Sequence, residues 1–155
     1  MQQIEEIDRW VLRSLIEEIS AKSAVIVGEM DANAAFDISA KLERLDTVYA
    51  AQPQFGPVDL VVFCPSTAED LVPRVKHFWG LLNPGGIMAF VGARATPKMA
   101  AAIKPLFGKQ GELGEHSVIL GTRTGSDFRR DGGLKYENSS TYFVAKDAAP
   151  VLVEA

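Results

Sequence analysis

Three short apolar runs constrain the fold of this chain more than any other feature. They occupy residues 23–28, 58–64 and 87–92, and their centres are continuously apolar. A strand of this kind is apolar on both faces, so both faces must be covered. The runs therefore predict an α/β fold, a three-layer sandwich in which a mostly parallel sheet lies between two layers of helices.

Helical periodicity occupies the intervals between these runs. Apolar residues between positions 2 and 20 recur at spacings of three and four, which is typical of an amphipathic helix. Four further elements follow from similar patterns: a helix from Asp31 or Asn33 to about Arg44, a strand over residues 45–51, a helix after Thr67 and a helix over residues 98–107.

The last third of the chain has a different pattern. Residues 117–121 and 141–145 are strand candidates, and no helical pattern separates them. Two consecutive strands without a crossover helix pair antiparallel. We therefore expect a C-terminal antiparallel hairpin, one domain over residues 1–146 and a loose tail over residues 147–155.

Composition and charge exclude several functional classes. The chain has 155 residues and a net charge of -4, and its 16 basic residues form no stripe, so we expect no nucleic-acid partner. No apolar run approaches the roughly 20 residues that span a bilayer, and the acidic N-terminal region is unlike a secretory signal. We expect a cytoplasmic protein without a membrane partner. One cysteine and two histidines predict neither a disulfide nor a metal site.

Residues 58–65 and 78–92 resemble segments of the class I S-adenosylmethionine-dependent methyltransferases. The second segment combines a helix end, the turn from Asn83 to Gly86 and an apolar strand, and this combination recurs widely in that family. The first segment resembles the family's fourth strand. The resemblance implies a Rossmann-like fold whose last strand is inserted antiparallel, a transferase activity on an unknown methyl acceptor, and S-adenosylmethionine as the cofactor.

The chain departs from the family pattern within the cofactor site. Only the first glycine of the family's glycine-rich loop is kept, and the corresponding residues are Gly28, Glu29, Met30, Asp31 and Ala32. Met30 stands where the backbone must approach the ligand. The second strand lacks the family's ribose-binding acid, and the short connection after it leaves no room for the family's third strand. These differences imply weakened or lost cofactor binding.

Ligands of open α/β sheets bind at the carboxyl ends of the strands where the strand order reverses. The candidate binding residues therefore follow two neighbouring strands, and they are Gly28, Glu29, Met30, Asp31, Cys64, Pro65 and Ser66. Glu29 and Asp31 either contact the ammonium or hydroxyl groups of a small-molecule ligand or form a solvated loop and a helix cap. Cys64 is either a reactive thiol or an inert buried residue. The sequence identifies no catalytic acid or base.

Two functions are compatible with these features. The first is a small methyltransferase-like enzyme that binds S-adenosylmethionine and holds it in line with a small acceptor. The second is a non-catalytic module of the methyltransferase fold with an interaction or regulatory role. Adjacent Phe78 and Trp79 are not expected to face inward together on one helix, so we expect one of them to meet either a partner chain or the opposite layer, and a homodimer is one interpretation.

Overall fold

Helices and strands alternate along the chain in a computed structural model. The structure describes residues 4, 6–48, 57–64, 71–93, 96–107, 113, 118–119 and 141–146. The helices are α1 (Glu6–Ile19), α2 (Ala32–Ser39), α3 (Leu71–Leu81) and α4 (Pro97–Ile103), and a 3-10 turn, Lys104–Leu106, follows α4. The strands are β1 (Ser23–Val27), β2 (Arg44–Val48), β3 (Val58–Phe63), β4 (Leu82–Phe90), β5 (Val118–Ile119) and β6 (Tyr142–Ala145).

The six strands form one sheet in the order β2-β1-β3-β4-β6-β5. β2, β1, β3 and β4 run parallel, whereas β6 is antiparallel to both β4 and β5. The mostly parallel sheet and the C-terminal antiparallel hairpin are confirmed. In the described part of the chain, β2 lies at the edge of the sheet.

Both faces of the central strands are buried, as their continuous apolar character predicts. Alternate residues of β1 and β3 pack against α1 and α2 on one face and against α3 and α4 on the other, which confirms the three layers. The residues on the first face are Ala24, Ile26, Leu60 and Val62, and those on the second are Val25, Val27, Val61 and Phe63.

α2 is shorter than its sequence pattern predicts. The pattern extends to about Arg44, but the helix ends at Ser39 and Arg44 is the first residue of β2. The backbone N–H groups of Glu43 and Arg44 donate to the carbonyl of Lys22 at 2.7 and 3.1 Å. These bonds start the pairing of β2 with β1. Residues that helical spacing alone would assign to α2 therefore hydrogen-bond to the sheet.

The Pro-Gly-Gly turn lies inside β4, whereas the sequence places it before the strand. Leu82 pairs with Val58, but Ile87 already pairs with Leu60, so β4 has additional residues that bulge away from β3. Gly85 occupies the bulge with φ +84, a conformation that glycine adopts without strain.

Lys146 fastens this bulge to the end of β6. The backbone N–H of Gly85 donates to the Lys146 carbonyl at 2.8 Å, and the Lys146 N–H donates to the Gly86 carbonyl at 2.9 Å. The Lys146 ammonium donates to the carbonyls of Trp79 and Leu82 at 2.7 and 2.8 Å, where α3 ends. A cation at this position stabilises the helix C-terminus.

Phe78 and Trp79 are both buried, so the expectation that they do not face inward together is wrong. Phe78 lies edge-on to Phe63 of the sheet with ring centroids 6.1 Å apart, whereas Trp79 packs on Phe107 at 5.2 Å. Adjacent residues on α3 are both covered because the sheet and the segment after α4 contact different sides of the helix. The homodimer therefore loses the observation that suggested it.

Substitution of glycine by alanine should have opposite effects on stability at two positions near this bulge. A Cβ at Gly86 would lie 2.7 Å from the Asp59 carbonyl oxygen and 2.9 Å from that of Asn83, whereas a Cβ at Gly80 in α3 meets nothing within 4 Å. We expect Gly86→Ala to lower the free energy of unfolding by about 1–3 kcal/mol. Gly80→Ala should raise it by about 0.5–1 kcal/mol. Urea denaturation measures both, and equal effects of the two substitutions would contradict the described backbone contact.

Candidate functional site

The carboxyl ends of β1 and β3 lie side by side. Val27 is in register with Phe63, and the Cys64 backbone N–H donates to the Val27 carbonyl at 3.0 Å. A Cβ placed on Gly28 would lie 3.2 Å from the Cβ of Cys64. The structure therefore brings two of the candidate residues, Gly28 and Cys64, into direct contact. Pro65 and Ser66 lie outside the described residues.

Gly28 has the backbone conformation expected of the first glycine in a tight turn after a strand. Its φ is +106, a value that L side chains rarely adopt. The close approach of Cys64 leaves little room for a side chain as well. Glycine is therefore required here by both backbone angle and packing.

The two residues after Gly28 have opposite environments. Glu29 is exposed to solvent, whereas Met30 is only 7% exposed. Met30 belongs to the hydrophobic cluster beneath α1 and α2, which also contains Ile4, Ala34 and Cys64. The Met30 side chain thus fills space between the sheet edge and the helices.

Asp31 is the N-cap of α2 and also holds the segment before α1. Its Oδ2 accepts the backbone N–H of Ala34 at 3.0 Å, and its Oδ1 accepts that of Ile4 at 2.9 Å. Of the two caps that the sequence allows, the structure has Asp31, and Asn33 lies within α2. Ile4 itself lies outside α1, although the periodicity of residues 2–20 includes it in the helix.

These two bonds determine the ionisation of Asp31. The N–H of Ile4 is the largest influence and lowers the pKa of Asp31 below its ordinary value of 3.8. Burial acts in the opposite direction and is outweighed, because Ala34 N–H and the positive charge of Arg9 also favour the ionised carboxylate. Asp31 is therefore a carboxylate at neutral pH, and both of its oxygens accept hydrogen bonds within the protein.

The Cys64 thiol is suppressed as a nucleophile. Burial is the main cause that raises its pKa to about 12, and the negative charges of Asp31 and Glu29 raise it further. The thiol is therefore neutral at physiological pH. Of the two readings that the sequence leaves open, the geometry favours the inert buried cysteine.

The sequence alone does not identify three polar residues at this edge of the sheet, Asp8, Arg9 and Thr141. The Arg9 side chain on α1 influences Asp31, and its Nε atom is buried without a hydrogen-bond partner in the described part of the protein. Asp8, only 2% exposed, accepts a hydrogen bond from the Thr141 hydroxyl at 3.0 Å. Thr141 immediately precedes β6, so this bond links α1 to the antiparallel strand. The only sequence signal for this hydrogen bond is Asp8 itself, a charged residue among the apolar positions of an amphipathic helix.

Known proteins resemble this chain in structure but not in sequence. No protein-family model matches it, and neither does any curated protein. A Staphylococcus aureus protein solved under the name caffeoyl-CoA O-methyltransferase superimposes with a TM-score of 0.60 at 6% identity, over 92% of this chain and 83% of that protein. The fold is methyltransferase-like. An O-methyltransferase from Bacillus cereus in complex with SAH gives a TM-score of 0.51 at 11% identity, over 92% of this chain and 81% of that protein.

A third solved structure has the same fold. It was solved under the name O-methyltransferase from Klebsiella pneumoniae and gives a TM-score of 0.50 at 10% identity, over 94% of this chain and 82% of that protein. At such low identities the likeness concerns the fold alone. The topology agrees with the order that residues 58–65 and 78–92 predict from the family resemblance.

The described ranges contain neither a metal-binding cluster nor a membrane-spanning helix. No three His, Cys, Asp or Glu side chains are grouped there in a way that would hold a metal ion. Each helix in those ranges is too short or too polar to cross a bilayer.

Loss of the Asp31 carboxylate should destabilise the protein. We expect Asp31→Ala to lower the free energy of unfolding by about 1–2 kcal/mol, because the α2 cap and the bond to Ile4 are both lost. Asp31→Asn has one carbonyl oxygen for two N–H donors and should have an intermediate effect. Asp37→Ala is the matched control, since its carboxylate pairs with Arg13 at the surface and contributes little.

The effect of Asp31 should also depend on pH. Because its folded pKa is lowered, its contribution is present above the ordinary value of 3.8 and is lost as the pH falls through the folded pKa. Urea denaturation of wild type and Asp31→Ala at neutral and acidic pH measures this change. A difference between the two proteins that stays constant below pH 3.8 would contradict it.

Cys64 should resist alkylation in the native protein. A pKa of about 12 leaves roughly 10⁻⁵ of the thiol ionised at neutral pH, against a few per cent for an ordinary cysteine. We expect iodoacetamide to react roughly 1,000-fold more slowly with native protein than with urea-unfolded protein. Mass spectrometry of timed samples measures both rates, and rapid native alkylation would show that the thiol is accessible and ionised.

Proposed function

We propose that this chain is a methyltransferase-fold protein with weakened or lost binding of S-adenosylmethionine, and that it acts as a non-catalytic interaction or regulatory module. The observation that carries the proposal is the double hydrogen bond of Asp31 to the N–H groups of Ile4 and Ala34. It closes the end of β1 with the protein's own groups at the place where the fold binds its ligands.

The N-terminus of α2 is poorly suited to the carboxylate of S-adenosylmethionine. Free N–H groups and the positive end of the helix dipole attract anions to such a position. Here the Ala34 N–H already bonds to Asp31, whose own negative charge would repel a ligand carboxylate. Displacing Asp31 would also free Ile4 and so loosen the segment before α1.

The packing of Met30 supports the same proposal. Its side chain is buried with Ile4 and Cys64, and Cys64 lies against Gly28, so protein atoms border the turn after β1. A ligand that needed the volume of the Met30 side chain would have to expel a well-packed residue. Removing a buried methionine from a core costs about 2–5 kcal/mol.

Within the described residues, the end of β2 offers no carboxylate to hold ribose hydroxyls. The acid of this strand is Asp46, which lies two residues before the last residue of β2 and pairs with Arg44 at 2.9 Å. The last described residues are Thr47 and Val48. The donor set of the described residues therefore does not fit S-adenosylmethionine, and we derive no catalytic step through it.

A methyltransferase that still binds the cofactor is the alternative function. It is favoured by Gly28, which keeps the positive φ of a ligand-binding turn, and by Arg9, whose buried Nε lacks a hydrogen-bond partner in the described residues. A guanidinium beside Asp31 would offset part of the negative charge. Both observations concern binding, and neither supplies a methyl acceptor or a catalytic base.

Titration with the cofactor separates the two functions. We expect neither S-adenosylmethionine nor S-adenosylhomocysteine at millimolar concentration to produce calorimetric heat or a shift in melting temperature. A ligand present at 100 times its Kd would add about 2.7 kcal/mol to the free energy of unfolding, which a thermal scan detects easily. Saturable binding of either compound well below millimolar concentration would refute the proposal and favour the enzyme.

A pair of methionine variants locates the obstruction. Met30→Gly removes the buried side chain two residues after Gly28, whereas Met99→Gly removes a buried methionine from the opposite layer. We expect Met30→Gly to gain weak affinity for the cofactor and Met99→Gly to gain none. Circular dichroism at low temperature must first show that both variants are folded. Absence of binding in both would place the obstruction outside Met30.

A further inference from the structure

β2 is an edge strand in the described part of the protein. It pairs with β1 on one side, and no other strand of the described ranges pairs with it. The backbone N–H of Arg44 donates to the carbonyl of Lys22, the residue before β1. Because alternate residues of a strand direct their backbone groups to the same side, the N–H and C=O groups of Leu45 and Thr47 point away from β1. Such groups on an edge strand are a template for pairing with another strand.

The side chains of β2 alternate between the two faces of the sheet. Leu45 packs against the hydrophobic cluster beneath α1 and α2, which anchors the strand to the core. Arg44 and Asp46 lie on the opposite face, where their side chains are 50% and 36% exposed and pair at 2.9 Å. Thr47 is also exposed. Solvent therefore reaches the strand on both sides of Leu45.

A two-fold axis through Leu45 gives two copies of this edge a complementary pairing. The two β2 strands then run antiparallel, with Leu45 opposite its own equivalent and Arg44 opposite Asp46 of the other copy. The two Leu45 residues exchange both of their backbone hydrogen bonds, since their N–H and C=O groups point outward. Arg44 and Asp46 form the non-hydrogen-bonded pairs, in which opposing side chains are closest, and their charges are opposite.

Other two-fold registers of the strand lack this complementarity. An axis through Arg44 or through Asp46 would place that residue opposite itself, so that like charges meet in a closely spaced pair. An axis through Thr47 would place the carboxylate of Asp46 opposite the apolar Val48. The axis through Leu45 also keeps the existing bond between Arg44 and Asp46, because the four charges then alternate in sign around the axis.

We propose that two copies of this chain pair antiparallel through the outer edge of β2, with the two-fold axis at Leu45, and so join their sheets into one. A second copy is the occupant that this strand favours, because one short segment supplies both members of every charged cross-strand pair. The pairing also covers an edge that would otherwise be open to non-specific strand addition.

This interface is separate from the proposed loss of cofactor binding. It uses the middle of β2, whereas the ligand edge lies at the carboxyl ends of β1 and β3, around Gly28 and Cys64. Failure of the dimer would therefore leave the proposed function untouched, and cofactor binding would leave the dimer untouched.

Charge-reversal variants and their mixture test the register by sedimentation equilibrium. We expect the wild type to be dimeric at roughly 100 μM, where a complex of micromolar affinity is nearly complete. Arg44→Asp makes both charged positions of β2 acidic and Asp46→Arg makes both basic, so each variant alone should raise the dissociation constant roughly tenfold or more. An equimolar mixture of the two variants should restore the dimer, because every cross-strand pair is then of opposite charge.

Arg13→Asp is the matched control. It reverses the same charge in a similarly exposed ion pair, that of Arg13 with Asp37, and should leave the dimer intact. Because both ion pairs are exposed, none of these substitutions should change the melting temperature of the dilute, monomeric protein by more than about 2 °C.

Amide hydrogen exchange identifies the backbone contact. The Leu45 amide should be protected in concentrated wild type and should exchange roughly tenfold faster or more in Arg44→Asp, whereas the Asp46 amide, which points to β1, should be protected in both. A monomeric wild type would overturn the proposal, and so would a dimer that persists in both variants or a mixture that fails to associate. Equal protection of Leu45 in monomer and dimer would overturn it as well, since another segment of the chain would then cover the edge.

Discussion

The burial of β1 and β3 on both faces is the constraint on which the rest of the structure depends. Strands that are apolar on each side cannot remain at a surface, so the chain must supply two layers of helices. α1 and α2 cover one face, and α3 and α4 cover the other. Because these strands are parallel, their carboxyl ends meet at one edge of the sheet, and the residues that follow them are brought together there.

The groups at this edge bind one another rather than remaining available to a ligand. Asp31 accepts two backbone N–H groups, Met30 is buried in the cluster formed with α1 and α2, and burial keeps the Cys64 thiol neutral. In an enzyme of this fold, the same edge would leave N–H groups and volume available for the cofactor. The chain thus keeps the architecture that builds a ligand site, and we infer that it has used the site for its own stability.

The sequence predicts the sheet well because the strand signals are local. The apolar runs end at Gly28 and Pro65, and the missing helical pattern before Thr141 predicts the antiparallel hairpin. The prediction fails where another element decides the outcome. α2 does not extend to Arg44, because the backbone N–H groups of Glu43 and Arg44 donate to the carbonyl of Lys22 and so do not continue the helix. Similarly, Phe107 covers Trp79, which the periodicity of α3 alone cannot reveal.

The position of the candidate site could be predicted from the sequence, but its hydrogen bonds could not. The carboxyl ends of two parallel strands indicate where Gly28 and Cys64 lie, and the residue type of Asp31 indicates a helix cap. The second partner of Asp31 is a backbone N–H at Ile4, which has no side-chain signal and is distant in sequence.

We infer that Asp31 closes the ligand edge of the sheet through its bonds to Ile4 and Ala34. Amide hydrogen exchange of ¹⁵N-labelled protein, followed by NMR with and without S-adenosylmethionine, tests this closure most directly. We predict that the amides of Ile4 and Ala34 are protected in the wild type, lose protection in Asp31→Ala, and keep their chemical shifts when the cofactor is added. Unprotected amides at these two positions, or shifts at Gly28 to Asp31 that saturate with cofactor, would contradict it.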